Sequence, residues 1–207
     1  MKLLLSLTIT CVLFPAGFPL RCYNCAPGTA GTCTTETTCQ AAENRCGSIM
    51  VASYAGNTKI TEMSVKSCGK SQECISGSIN FGVARTTVNT ECCSTDLCNS
   101  RNAAALAQSS ANGKQCCGND GCTTVINCLG DENSCIKYAA TVGGVYTVMR
   151  GCASSSFCTS DQLSGALNMG VDVSMHCCQG NLCNDAQRII QNILLLLVPL
   201  VSIVLIH

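Results

Sequence analysis

The sequence predicts a disulfide-rich, all-β protein made of two tandem repeats. Cysteine accounts for 21 of 207 residues, whereas aromatic residues are 4% and tryptophan is absent, so crosslinks must replace part of a hydrophobic core. One eight-residue string, C-C-x-x-[DN]-L-C-N, occurs twice, at residues 92–99 and 177–184. Stretches between the cysteines are β-branched and apolar with polar interruptions, which favours short antiparallel strands and almost no helix.

The first twenty residues have the pattern of a secretory signal peptide. Lys2 precedes an apolar run from Leu3 to Phe14, and small and turn-forming residues follow. Such a segment is too short to span a membrane as a helix and is removed on secretion. We predict cleavage between residues 17 and 20. Cys11 leaves with this peptide, and an even number of cysteines then enters an oxidising compartment.

The remaining cysteines divide evenly into two units, residues 21–99 and residues 115–184, with ten cysteines in each. Residues 100–114 contain no cysteine and are mostly Ala, Ser, Asn and Gln, which is typical of a linker between domains. Matched octets at residues 76–83 and 164–171 extend the similarity beyond the closing string. We therefore interpret the two units as duplicates of one ancestral domain.

Each unit contains a segment with the pattern of a β-hairpin. In the first unit, strand-like residues 48–54 and 59–66 flank turn-forming residues. In the second unit, residues 136–140 and 145–150 flank a pair of glycines. Glycine there permits the positive φ that a tight hairpin turn requires, so both segments are predicted to form antiparallel strand pairs.

A cysteine doublet opens each closing string. Adjacent cysteines do not pair comfortably with each other, because a disulfide needs Cα atoms about 5.5 Å apart and suitably directed Cβ atoms. Each doublet therefore sends two crosslinks to two different places. One crosslink can close the short loop to Cys98 or Cys183, and the other must reach back into its unit. The string thus ties the end of a domain to its interior.

The cysteine order resembles that of the lymphocyte antigen 6/urokinase receptor family. Cys22-x-x-Cys25, the order of ten cysteines and the closing string carry this resemblance over nearly all of both units. It implies two tandem three-finger (snake-toxin-like) domains, in which three hairpins leave one disulfide-tied base. It also implies that Asn99 and Asn184, which end the two strings, stabilise the base through side-chain hydrogen bonds.

The family pattern implies five disulfides in each unit, which spacing alone does not determine. In the first unit the implied pairs are Cys22–Cys46, Cys25–Cys33, Cys39–Cys68, Cys74–Cys92 and Cys93–Cys98. In the second unit they are Cys116–Cys135, Cys117–Cys122, Cys128–Cys152, Cys158–Cys177 and Cys178–Cys183. The second unit departs from the family because Cys116 and Cys117 are adjacent, where the family has C-x-x-C. This departure leaves open an exchange of partners between these two cysteines.

The C-terminal residues 185–207 have the pattern of a signal for attachment of a glycosylphosphatidylinositol (GPI) lipid. A polar spacer precedes Ile193 to Ile206, which are almost all Ile, Leu and Val, and no basic residue follows them. The apolar run is short for a membrane-spanning helix, whereas small residues, a spacer and an apolar tail are the features of a GPI signal. We predict attachment at Asn184, with Asp185 as the alternative. A tail-anchored protein and simple secretion are the other interpretations.

Little in the sequence points to catalysis or to a cofactor. His176 precedes the second doublet, whereas secreted phospholipases carry a histidine inside a similar string, so we predict a structural or solvated role for it. Paired cysteines would be neither nucleophiles nor zinc ligands. Charge is balanced at 12 basic and 12 acidic residues, without a basic stripe or a phosphate-binding glycine motif. We predict no enzyme, no metal, no cofactor and no nucleic-acid partner.

A disulfide-supported base leaves the hairpin tips free to bind a partner. Each native disulfide contributes about 2–4 kcal/mol, which offsets a thin core in so small a unit. Tyr54, Tyr138 and Tyr146 are candidate ligand contacts, although packing on neighbouring strands is the favoured interpretation for them. We predict a non-catalytic, GPI-anchored cell-surface binding protein or receptor for an extracellular protein ligand. The alternative is a secreted inhibitor that resembles the two-domain gamma-type phospholipase inhibitors.

Overall fold

The structure is a computed structural model that describes residues 19–27, 33–142, 144–159 and 172–185. In this part of the chain β-strands dominate, with one five-residue α-helix and three short 3-10 turns. Residues 1–18 of the predicted signal peptide, the second octet and the apolar tail lie outside the described residues. Within those ranges, no helix is both long enough and apolar enough to cross a bilayer.

The first domain contains three antiparallel hairpins. Its strands are β1 (Arg21–Tyr23), β2 (Glu36–Thr38), β3 (Arg45–Ala55), β4 (Thr58–Gly69), β5 (Gly77–Asn80) and β6 (Ala84–Cys93). The pairs β1–β2, β3–β4 and β5–β6 form the three fingers, and β6 also pairs with β3. The second and third fingers therefore share one sheet. Strands β3 and β4 of the second finger are longer than the predicted segments 48–54 and 59–66.

The second domain repeats this plan. Its elements are β7 (Ala111–Cys117), β8 (Val125–Leu129), β9 (Ser134–Val142), β10 (Val145–Ala153), α1 (Ser155–Thr159) and β11 (Asp172–Cys178). The pairs β7–β8 and β9–β10 form two fingers, and β11 pairs with the other edge of β9. Residues 111–114, which their composition assigns to the linker, belong to the first finger. The side chain of Asn112 explains this, because it donates to the carbonyl oxygens of Gly130 (2.9 Å) and Glu132 (3.3 Å).

Ten disulfides connect the twenty described cysteines, five in each domain. Their pairs are those that the family pattern implies, and Cys116 pairs with Cys135 while Cys117 pairs with Cys122. Buried disulfide sulfurs make up most of the compact core at each base. Every one of these disulfides lies within a single domain, so the two domains are connected covalently only through the chain itself.

An asparagine closes the base of each domain. Asn99 donates to the carbonyl oxygens of Tyr23 and Gly47 and accepts from the Tyr23 N–H, each at 3.0 Å. Asn184 makes the equivalent pair of bonds to the backbone of Cys117, at 2.9 and 3.0 Å. Both asparagines are buried, so each closing string ends inside its domain.

One antiparallel sheet of seven strands runs through both domains. Its order is β11-β9-β10-β5-β6-β3-β4, so the edge strand β10 of the second domain pairs with β5 of the first. In this pairing Cys152 is opposite Asn80 and Ala153 is opposite Ile79. A Cβ atom on Gly151 would lie 2.0 Å from the carbonyl oxygen of Asn80. Glycine at this position therefore permits the close approach of the two domains.

Candidate ligand-binding surface

The shared sheet has an apolar face and a polar face at the domain junction. Successive residues of a strand point to opposite faces, so β5 presents Ile79 to one face and Ser78 to the other. The strand register places Met149 and Met175 on either side of Tyr138 in the second domain. These three residues share the face of Ile79, because β10 and β5 are paired through Ala153 and Ile79.

An apolar cavity of about 350 Å³ lies on this face and spans the junction. Its walls come from both domains and are almost entirely aliphatic, aromatic or thioether side chains, namely Ile79, Phe81, Thr86, Val88, Ile136, Tyr138, Met149, Phe157 and Met175. Concave, mostly apolar sites of about 300–1,000 Å³ are typical of ligand pockets. A cavity of this size suits apolar side chains that project from a larger ligand.

Two aromatic rings meet across the junction at this cavity. The ring centroids of Phe81, from the first domain, and Tyr138, from the second, are 6.4 Å apart, with an interplanar angle of 58°. This tilted arrangement is one of the favourable geometries for aromatic pairs. Tyr138 therefore packs against a neighbouring ring, as the favoured sequence-based interpretation predicts, and it also lines the cavity. Its contact with a ligand stays a prediction.

The other two tyrosines lie elsewhere. Tyr146 is 66% exposed at the tip of the β9–β10 hairpin, beside Val145, which is 65% exposed. Tyr54 is half-buried in β3 of the first domain, where its cross-strand neighbours are Lys59 and Arg85. The cavity and the β9–β10 tip thus share one hairpin, whereas Tyr54 is not part of either surface.

No charged residue is among those that line the cavity. The ionisable groups whose pKa values are shifted lie outside the cavity. Two hydrogen bonds from Arg21, one from its backbone N–H (3.0 Å) and one from its guanidinium (3.3 Å), lower the pKa of Asp96 at the base of the first domain. Burial lowers the pKa of Lys114 in β7. The cavity is therefore a neutral, apolar surface that favours an uncharged part of a ligand.

His176 and the described cysteines are not among the residues that line the cavity. His176 is exposed on β11 and lies opposite Lys137 rather than a carboxylate. Two groups of three cysteines have sulfur atoms within metal-binding distance of one another, namely Cys22, Cys39 and Cys68, and Cys116, Cys128 and Cys152. All six sulfurs belong to disulfides, so these groups do not supply thiolate ligands.

Sequence reasoning identified Tyr138 but missed Phe81 and Met149 as residues of the cavity. Phe81 lies in an octet that is similar in both units, and this similarity was the available signal. Met149 lies in a strand-like stretch without any distinguishing pattern. Its place at the junction depends on how the two domains pair, which is a property of their folded edges.

Comparisons with known proteins identify relatives of both units. A model described as the u-PAR/Ly-6 domain matches residues 19–101, and a model described as snake toxin and toxin-like protein matches residues 109–184. The urokinase plasminogen activator surface receptor of Rattus norvegicus is 27% identical over 186 residues, which cover 83% of this chain and 56% of the receptor. The same receptor of Aotus trivirgatus is 35% identical over 144 residues, which cover 62% and 41%. CD59 glycoprotein of Sus scrofa is 34% identical over 101 residues, which cover 49% of this chain and 75% of CD59.

The chain spans about half the length of the urokinase receptors that it matches. Similarity alone therefore does not assign the binding activities of those longer proteins to this chain. Both units nevertheless match models of related domains, and three quarters of CD59 is covered at 34% identity. Each unit also folds into disulfide-tied antiparallel hairpins above one base. The chain belongs to the u-PAR/Ly-6 family of three-finger proteins.

Proposed function

We propose that this protein is a non-catalytic cell-surface binding protein that takes apolar side chains of an extracellular protein ligand into the cavity at the domain junction. The observation that carries this proposal is the cavity itself, which combines residues of both domains in an uncharged, largely apolar lining. The exposed Val145 and Tyr146 at the β9–β10 tip extend the same hairpin outward and supply a second contact region. A partly apolar, aromatic surface of this kind is typical of a protein-binding site.

A pair of substitutions tests the role of the cavity. Met149 lines the cavity and is 38% exposed, whereas Ile60 is 65% exposed on β4, outside the cavity. Met149→Glu places a carboxylate among apolar side chains and should reduce ligand capture by about tenfold or more, since an unpaired charge in such a site is costly. Ile60→Glu is the matched control and should leave capture unchanged.

The readout is cell-surface crosslinking followed by mass spectrometry. Cells that express the full chain are incubated with the extracellular proteins of their own tissue, and crosslinked proteins are compared among the native chain and both variants. A ligand of the cavity is a protein recovered with the native chain and with Ile60→Glu but lost with Met149→Glu. Equal recovery from all three chains would place ligand binding at another surface.

We further propose that a GPI lipid holds the protein on the outer face of the plasma membrane. The apolar tail after Ile193 and the polar spacer before it support this proposal. Treatment of intact cells with a phosphatidylinositol-specific phospholipase should release the protein into the medium. Full retention on the cells after this treatment would exclude the lipid anchor. Protein in the medium that still contains residues from Ile193 onward would favour the secreted inhibitor.

The surroundings of Asn184 bear on the site of lipid attachment. Its side chain is buried and bonded to Cys117, and its backbone carbonyl accepts a hydrogen bond from the buried guanidinium of Arg150. Asn184 is the proposed attachment position, and Asp185, which is half-buried, is the alternative. Mass spectrometry of the C-terminal peptide of the released protein would distinguish the two positions.

A further inference from the structure

The polar face of the shared sheet contains a buried ion pair between the two domains. Arg85 of the first domain donates through Nε to the carboxylate of Glu132 of the second domain at 2.8 Å, and the two side chains are 9% and 0% exposed. Arg85 lies on β6, and Glu132 lies in the turn between β8 and β9. Neither charge is on the outer surface of the protein, so the pair exists only while the domains are in contact.

Each carboxylate oxygen of Glu132 accepts hydrogen bonds from two donors. Oε1 also accepts from the hydroxyl of Ser78 at 2.7 Å, and Oε2 accepts from the side-chain amide of Asn80 at 3.2 Å and from the Leu129 N–H at 2.8 Å. The guanidinium of Arg85 donates again to the Ser78 hydroxyl at 3.0 Å. Three of the four groups that bond to this carboxylate belong to the first domain. The first domain thus presents a site that is complementary to one buried glutamate.

Hydrogen bonds of the backbone and of serine hydroxyls also connect the two domains at the junction. The N–H of Ser154 donates to the carbonyl oxygen of Ser78 at 2.9 Å, and the hydroxyl of Ser154 accepts from the Ser78 N–H at 2.8 Å. The hydroxyl of Ser156 donates to the Ser76 carbonyl oxygen at 2.8 Å. Because the second domain docks by a strand edge and by one charged side chain at once, both the register and the orientation of the junction are specified.

A buried ion pair alone is weak support for affinity, because desolvation of two charges offsets their attraction. Here the described polar groups around the pair have hydrogen-bond partners. Strands β5 and β10 pair beside the ion pair, and the apolar cavity lies on the opposite face of the same strands. We propose that the first domain carries a binding site for the second domain that works without a covalent connection. The pair Arg85–Glu132 makes this site specific, and the two domains remain together after the linker is cut.

The test is cleavage of the linker in the full chain. Ala107 is exposed, whereas Ala103 is buried and donates its N–H to the hydroxyl of Ser48 in the first domain. A protease site inserted after Ala107 therefore leaves the contacts of Ala103 intact. The chain carries an epitope tag after residue 20, is expressed in animal cells and is extracted in mild detergent. After cleavage, the tag is captured and the second domain is measured in the captured fraction.

The second domain should remain with the captured first domain, including at about 1 M NaCl, since buried pairs are screened far less than exposed ones. Denaturing gels without reductant should show two separate pieces, because each disulfide lies within one domain. Release of the second domain from the cleaved native chain at low salt would overturn the proposal. This part of the test changes no residue of the junction, so it does not depend on how a junction variant folds.

Matched substitutions test the ion pair. Glu132→Gln leaves the Arg85 charge buried and unpaired, and the second domain should dissociate at least about 30-fold faster. Glu62→Gln makes the same chemical change in the exposed pair with Lys59 inside the first domain and should leave dissociation unchanged. Equal dissociation rates for the two variants would exclude the specific role of Arg85 and Glu132. Intact mass confirms that each variant contains ten disulfides, and circular dichroism confirms that it keeps its strands.

Discussion

Substitution of Asn99 by alanine tests whether the last residue of the first closing string stabilises the domain. Asn99 is 3% exposed and makes three hydrogen bonds of 3.0 Å to the backbone of Tyr23 and Gly47. Alanine removes all three bonds and leaves the backbone groups of β1 and β3 without these partners. We therefore expect the substitution to destabilise the first domain and to leave the second domain unchanged.

The number of bonds sets the expected magnitude. A typical intramolecular hydrogen bond contributes about 0.5–1.5 kcal/mol net, so the loss of three should reduce the free energy of unfolding by about 3 kcal/mol. With a urea dependence of about 1–3 kcal/mol per molar, the unfolding midpoint should fall by about 1–3 M. Asn184→Ala should have a similar effect on the second domain, because its bonds to Cys117 are equivalent.

Urea unfolding of the oxidised protein, followed by circular dichroism, measures the change. Hydrogen exchange of backbone amides then identifies the affected domain, since the Tyr23 amide should lose protection in Asn99→Ala and retain it in Asn184→Ala. Asn102→Ala is the control, because Asn102 is exposed in the linker. A change below about 0.5 kcal/mol for Asn99→Ala, the range of ordinary surface substitutions, would refute the assignment of this residue to the base.

Two further substitutions test the junction and the charge at the base. Gly151→Ala places a methyl group 2.0 Å from the backbone oxygen of Asn80 and should separate the domains, which small-angle scattering would detect as a larger radius of gyration. Gly47→Ala, whose methyl group would lie 3.7 Å from the nearest backbone oxygen, should leave the radius unchanged, and no expansion in Gly151→Ala would contradict the steric role of this glycine. Asp96→Asn removes a carboxylate whose pKa is lowered by hydrogen bonds from Arg21. A carboxylate with a lowered pKa stabilises the fold at pH values above its unfolded pKa of about 3.9, and this stabilisation is lost as the pH falls through its folded pKa. The variant should therefore unfold at lower urea than the native protein at neutral pH and match it in strong acid, and a constant difference at all pH values would assign the effect to the loss of packing.

The base of each domain could be predicted from the sequence because covalent chemistry determines it. The doublet Cys92-Cys93 requires two separate partners, and the order of the other cysteines resembles one family pattern closely enough to imply all five pairs of that unit. The same resemblance implies the role of Asn99 at the base. These features depend on residue types that have few alternative roles at such spacings.

The junction between the domains could not be predicted in the same way. Ser78 and Asn80 are small polar residues of the kind that also cover exposed strands, and Glu132 lies in a Gly-Asp-Glu-Asn stretch that is typical of a solvated turn. Their burial depends on a second folded domain, and a local pattern contains no information about that contact. Gly151 is similarly ordinary in sequence, although a side chain there would collide with Asn80.

The pairing of β5 with β10 also bears on how further domains could be added to such a protein. It joins unlike edges, the third finger of one domain to the second finger of the next, and an interface between unlike surfaces does not close on itself as a twofold dimer does. Strand β4, the counterpart of β10 in the first domain, still ends the sheet. A further unit that preceded the first domain could therefore pair its third finger with β4, as β5 pairs with β10.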